Sequence, residues 1–241
     1  MSIWGSLIGG MVGFSLGGPF GMLLGSLIGG KISRTRSNRA GFTSFAQPQQ
    51  IFALSLIVLA AKLSKADGQV SKEELIAVKD KLKIPENEIE QVGKIFNKAK
   101  EESAGYEPYA QQIAQIYRNN PNILEEVINI LFYIAEADGN VSHSELKMIQ
   151  NISQIFSINQ SQFNSIREAR KESDKLNPYI VLESKPEEDL KSIRKKYLQL
   201  SKEHHPDLLI SKGVPPEVIE ESKKKMRAIN SAWDQIQKLK S

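Results

Sequence analysis

The stretch LKSIRKKYLQLSKEHHPD, residues 190–207, decides the fold. Leu190, Ile193, Tyr197 and Leu200 recur at steps of three and four, the spacing of one buried helical stripe. Lys191, Arg194, Lys195, Lys196 and Lys202 lie off that stripe and face water. Upstream, Pro186 followed by Glu187, Glu188 and Asp189 offers a helix start: a ring with preset φ, then acids at the positive end of the dipole. Pro206 cannot continue a helix and biases His205 away from αR, so the chain turns at His205-Pro206-Asp207. A lysine-rich face alone reads as solvated, and a histidine beside a proline as an ordinary loop residue. Their conjunction is what informs.

A second helix follows. Pro215-Pro216-Glu217 opens it after a polar loop, and its stripe runs Ile219, Ser222, Met226, Ile229, Trp233, Ile236, with Ala232 alongside. Two such stripes pack as an antiparallel hairpin, each covering the other. Pro178-Tyr179-Ile180-Val181-Leu182 supplies a short helix to cap its open end. This arrangement resembles the J-domain of DnaJ-type co-chaperones: Tyr179 and Leu182 stand at the opening turn, Ile193, Tyr197 and Leu200 on the second helix, and Ile229, Ala232 and Trp233 on the third. The resemblance implies a role for each part. The basic face would dock on an acidic surface of a DnaK-type chaperone through Arg194, Lys195, Lys196 and Lys202. His205, Pro206 and Asp207 would promote its ATP hydrolysis. Leu208 departs from the family, which has a basic residue there, and no short fourth helix follows the third. The insert from Leu209 to Pro216 resembles the DjlA branch.

Between residues 3 and 30 there is no charged side chain. At about 1.5 Å per residue this run reaches roughly 42 Å, enough for a bilayer core of about 30 Å. Gly5, Gly9, Gly13, Gly17, Gly21, Gly25 and Gly29 recur every fourth position. In water such a run is a poor helix, but in lipid unpaired backbone costs more. The glycine row is the G-x-x-x-G pattern of paired membrane helices, so a homodimer through it is expected. Pro19 is expected to kink a single span. Lys31, Arg34, Arg36 and Arg39 follow the run directly, which places the rest of the chain in the cytoplasm, behind a single pass of the inner (plasma) membrane. A cleaved signal peptide would want basic residues before the run and a small-residue cleavage site. The absence of cysteine agrees with a cytoplasmic location.

The middle of the chain repeats itself at an offset of 71 residues: ADGQVSKEEL at 66–75 returns as ADGNVSHSEL at 137–146. Each copy follows an apolar helix and precedes an amphipathic one. Gly68 and Gly139 sit where a left-handed cap ends a helix. Ser71 with Glu74, and Ser142 with Glu145, make the S-x-x-E capping box, with Val70 and Leu75, or Val141 and Leu146, as staple. Capping thus explains most of the motif. A second reading pairs Asp67 with Glu74, and Asp138 with Glu145, as oxygen ligands for a divalent cation, although the spacing is not that of an EF-hand. These paired segments resemble the TerB-type helical domain known from tellurite-resistance proteins and from the DjlA family. That resemblance implies metal or partner binding at the same four acids.

The chain is therefore expected to be all-α. A glycine-rich transmembrane anchor (1–32) and a basic linker (33–48) precede a TerB-like domain (49–172), a short linker (173–177) and a J-domain (178–241). The order matches the DjlA family. Without cysteine there is no thiol nucleophile, and no metalloprotease, P-loop or dinucleotide motif occurs, so an enzyme is not expected. The net charge of +4, with no interleaving of basic and aromatic residues, argues against nucleic acid. No cofactor is expected beyond the divalent cation of the second reading. The function expected is that of a membrane-anchored co-chaperone; the alternative is a membrane-tethered scaffold or divalent-ion sensor acting through the middle domain.

Overall fold

Helix α2 (Pro48–Leu63) has no polar face: every side chain from 52 to 63 is buried. Such a helix belongs in an interior. Helix α6 (Pro121–Ala135), buried from 122 to 132, lies against it. Around this central pair pack α3 (Lys72–Lys81), α4 (Ile89–Glu101), α5 (Glu107–Ile116), α7 (His143–Ile155) and α8 (Gln160–Glu168). The computed structural model describes residues 18–28, 48–66, 72–171, 175–212, 214 and 219–240. All regular structure among them is helical, as expected.

The repeat extends well beyond its turn. Helices α3 and α7 begin at 72 and 143, and α4 and α8 at 89 and 160, the same 71-residue offset. In the second copy Gly139 has φ +93°, a conformation that a side chain would strain. Ser142 Oγ accepts the Glu145 N–H (3.2 Å), and Glu145 Oε2 accepts the Ser142 N–H (2.8 Å), closing the capping box. Val141 and Leu146 rest half-buried on the core, at the staple positions. The first copy's turn, residues 67–71, lies outside the described residues.

Helix α1 (Gly18–Ile28) packs on α4 and α5, with Phe20 and Leu23 buried in the same core. The Phe20 ring meets Tyr109 edge-on at 5.1 Å. Gly18 has φ +58°, and a right-handed helix does not run through such a residue. The kink expected at Pro19 is instead a helix start, with the proline in the first turn. The eleven residues of α1 cover about 16 Å. Among the described residues, no helix is long and apolar enough to cross a membrane. Gly21 and Gly25 fall on α1; Gly5, Gly9, Gly13, Gly17 and Gly29, and most of the expected anchor with them, lie outside the described residues.

A second core forms where α9 (Pro178–Val181), α10 (Leu190–Glu203) and α12 (Glu220–Lys240) meet. Val181, Leu182, Ile193, Leu200, Ile229, Ala232, Trp233 and Ile236 fill it, and Tyr197 stacks on Trp233 at 5.2 Å. Helix α10 starts at Leu190, four residues after Pro186, because Asp189 takes the N-cap and accepts the Ser192 N–H (2.9 Å). This core also takes in Ala169 and Leu176, which continue it across the expected linker. Ser165 Oγ on α8 donates to the Val181 carbonyl (2.8 Å), tying the two halves again.

Candidate functional site

Pro206 forces the turn, and the structure shows what the chain does next. His205 is extended (φ −64°, ψ 129°) and caps a short helix, α11 (Pro206–Ser211), in a segment expected to be a polar loop. Its Nδ1 accepts the Asp207 N–H at 3.3 Å. The His205 side chain is 53% exposed and that of Asp207 is 86% exposed. Both therefore project from the bend into solvent, held by the first turn of α11.

Its neighbour His204 points the other way, 2% exposed. There His204 Nε2 lies 3.3 Å from Glu125 Oε2, and Lys225 Nζ donates to the same oxygen at 2.8 Å. Burial, then Lys225, pushes the His204 imidazole down to about 3, with Glu125 opposing. Burial alone would raise the Glu125 carboxyl, but the Lys225 ammonium, through its charge and its hydrogen bond, holds it below the ordinary carboxylate range. Beside this cluster Asn122 donates to the Glu203 carbonyl (3.3 Å) and accepts from Lys212 Nζ (3.2 Å). Leu209, Val214 and Ile219 insert into the first core. The bend is thus seated on α6, with its polar outer edge free of that seat.

The basic face of α10 divides. Lys191, Arg194, Lys195 and Lys202 are exposed. Lys196 is not equivalent: its Nζ is tied to the Glu183 carbonyl (2.7 Å) and to Glu188 Oε1 (2.8 Å). That bond holds the Glu188 carboxyl below its usual range. Of the sequence-expected set, then, Lys196 serves the hairpin itself. Leu198, 55% exposed, shares the outer face with Lys191, Arg194, Lys195 and Lys202 at helical spacing, an apolar spot that sequence reasoning passed over.

Two of the four acids of the repeat, Asp138 and Glu145, have described side chains, and each has a local partner. Asp138 Oδ1 accepts the Asn140 N–H (3.0 Å), and Glu145 is engaged in its capping box. Asp67 and the Glu74 side chain lie outside the described residues. Among the described residues no three His, Asp or Glu side chains cluster as metal ligands do.

Sequence reasoning missed Glu125, Lys225 and His204. The signal was there in part: Glu125-Glu126 interrupts an otherwise apolar helix, and carboxylates are almost never buried without a partner.

Comparison with known proteins bears on all three segments. The family model of tellurite resistance protein TerB matches residues 53–168, and that of the co-chaperone DjlA transmembrane domain matches residues 1–39. The chain is similar to the co-chaperone protein DjlA of Coxiella burnetii, 26% identical with 98% of each chain covered. Its counterpart from Photobacterium profundum is also 26% identical, with 99% of each covered. That of Vibrio parahaemolyticus is 28% identical over 85% of this chain and 86% of the relative. No solved structure matches.

Proposed function

The chain is a DjlA-like protein, and from that premise we propose that it is a membrane-anchored co-chaperone that stimulates ATP hydrolysis by a DnaK-type chaperone. Its relatives are named co-chaperones, not enzymes, and the chain itself carries out no bond-breaking step in this reading. The observation that carries it is the outward display of His205 and Asp207 on a bend whose other side is buried. Arg194, Lys195, Lys202 and Lys191 stand on the helix leading to that bend. A row of like charges steers an acidic partner and gives an association that weakens with salt. Leu198, central on the row, would supply apolar contact once the partner is seated. Pro206 and the His205 cap fix the bend before encounter, so little ordering entropy opposes docking.

The charge asymmetry around the amino-terminal run puts both helical domains on the cytoplasmic side, where such a chaperone and ATP are found. The glycine row would bring two chains together in the bilayer; for Gly21 and Gly25 to take part, α1 would have to leave its seat on α4 and α5.

Single-turnover ATP hydrolysis by a DnaK-type chaperone, with and without the full chain in detergent, tests the reading. His205→Gln is expected to abolish stimulation while leaving the circular dichroism spectrum and melting temperature of the chain unchanged. Stimulation by the variant equal to that by the wild type would overturn it.

A further inference from the structure

The 71-residue offset relates two surface grooves as well as two turns. One lies between the end of α2 and helix α7 and is lined by Lys62, Lys65, Ala66, Lys147, Met148 and Asn151. The other lies between the end of α6 and helix α3 and is lined by Tyr133, Glu136, Ala137, Ile76, Ala77 and Asp80. Each residue of the second set is the repeat equivalent of one in the first, position for position. Both are of similar size, about 440 and 420 Å³.

Their charges are opposite. The second groove carries Asp80 and Glu136, and Lys224 of helix α12 forms part of its wall, with Nζ 5.3 Å from the centre of the Tyr133 ring. Glu136 is further braced by a forked pair of bonds from Arg170 (2.7 and 2.6 Å). In the first groove lysines stand at the places of Tyr133, Glu136 and Ile76. Lys62 forms its floor, 5% exposed, donating to the carbonyls of Glu102 (3.1 Å) and Ala104 (2.5 Å). Lys65 and Lys147 stand exposed on its two sides. Glu102, 4.0 Å from the Lys62 ammonium, is the one carboxylate among the described lining residues, so the groove keeps an excess of positive charge. Ala66 and Met148 give it an apolar wall.

We propose that the Lys62–Lys65–Lys147 groove is a docking site for an acidic helical segment of a protein partner, whose carboxylates would take the place that Lys224 takes in the sister groove. Two observations favour a helix over a free anion or a lipid headgroup. The sister groove is lined in part by a charged side chain of a neighbouring helix, Lys224 of α12, and the apolar wall suits the stem of a glutamate rather than a hydrated phosphate. The site is separate from the bend at His205, so the same molecule would hold its chaperone and a second protein at once.

The test is a titration of the full chain in neutral detergent, followed by amide and methionine-methyl resonances. The probe is an alanine-based helical peptide with glutamates at i, i+3 and i+4. Its lysine counterpart, inorganic phosphate and soluble dihexanoyl phosphatidylserine are the comparison arms. The glutamate peptide is expected to shift Ala66, Met148 and Asn151, and the lysine peptide to shift none of them. Lys65→Glu combined with Lys147→Glu is expected to weaken binding at least tenfold, whereas Arg194→Glu with Lys195→Glu changes it less than twofold. Both pairs are exposed, so folding is not at stake. Shifts confined to α10, binding unaffected by the Lys65 and Lys147 changes, or a stronger response to phosphate or phosphatidylserine than to the peptide would each overturn the proposal.

Discussion

His204 and His205 are adjacent in sequence and opposite in environment, and the difference follows from where a proline stops a helix. His205 is extended because Pro206 follows it, so its ring leaves the helix surface. His204 ends α10 one residue earlier and faces Glu125 of α6, whose carboxylate also takes Lys225 of α12. The Glu125–Lys225 pair, 8% and 2% exposed at the side chains, is a buried ion pair and obeys the asymmetry of such pairs. Removing one partner strands a charge; removing both removes the desolvation penalty too. Glu125→Leu is expected to cost about 3–5 kcal/mol in denaturant unfolding, and Glu125→Leu with Lys225→Met to regain most of that. A double variant no more stable than the single one would show that the pair is not the reason for the loss. The turn at Pro206 was legible in the sequence, and Glu125 in part, but the partner of Glu125 was not. Lys225 sits in a run of three lysines that reads as a solvated face, and only burial separates it from Lys223.

At the scale of elements, periodicity announced each long helix of the carboxy-terminal hairpin but not the neighbours that cover it. The stripe on α12 is continuous from Ser222 to Ile236, and Ile219 stands just before it. Yet Ile219 belongs to the core of the middle domain, whereas Ile229, Trp233 and Ile236 belong to that of the hairpin. One apolar face thus serves two cores, and a stripe carries no label saying which. Helix α11 is hidden in the sequence for another reason: six residues are too few to show a period, and nothing local marks Leu209 and Val214 as members of the first core. Capping chemistry was legible because it is local; Ser142, Glu145 and Gly139 need no distant partner to be understood. Trp233→Ala should lower the stability of the hairpin by about 3–5 kcal/mol, since it removes a side chain stacked on Tyr197 and leaves a cavity. Thermal melting followed by circular dichroism would measure it, and a loss under about 1 kcal/mol would mean that the site collapses without cost.

The whole molecule is less divided than its sequence suggests. Ala169 and Leu176 carry the second core back to α8, while Leu209, Val214 and Ile219 carry the first core forward to α12. The bend at His205 is therefore presented by both domains together, and its orientation depends on a joint that contains a titratable group. His204 has a folded pKa of about 3 against an ordinary value of 6.5. Between those values the separated or unfolded chain binds more protons than the joined one, so stability rises with pH across that interval. The contribution is complete above about pH 6.5 and is lost progressively as pH falls toward 3. Glu125, held below the ordinary carboxylate range, stays ionised through the upper part of the window. Glu183, whose pKa burial raises, acts with the opposite sign, because taking up a proton favours its buried form. Lowering the pH from 7 to 5 is therefore expected to lower the hydrogen-exchange protection factors, taken relative to the intrinsic rate at each pH, in α11 and the first turns of α12 ahead of α2 and α6. His204→Gln, which cannot charge, should flatten that dependence, leaving the contribution of Glu183 with its opposite sign. An unchanged slope in the variant would mean that the joint is not controlled by this imidazole, and that acid acts elsewhere in the molecule.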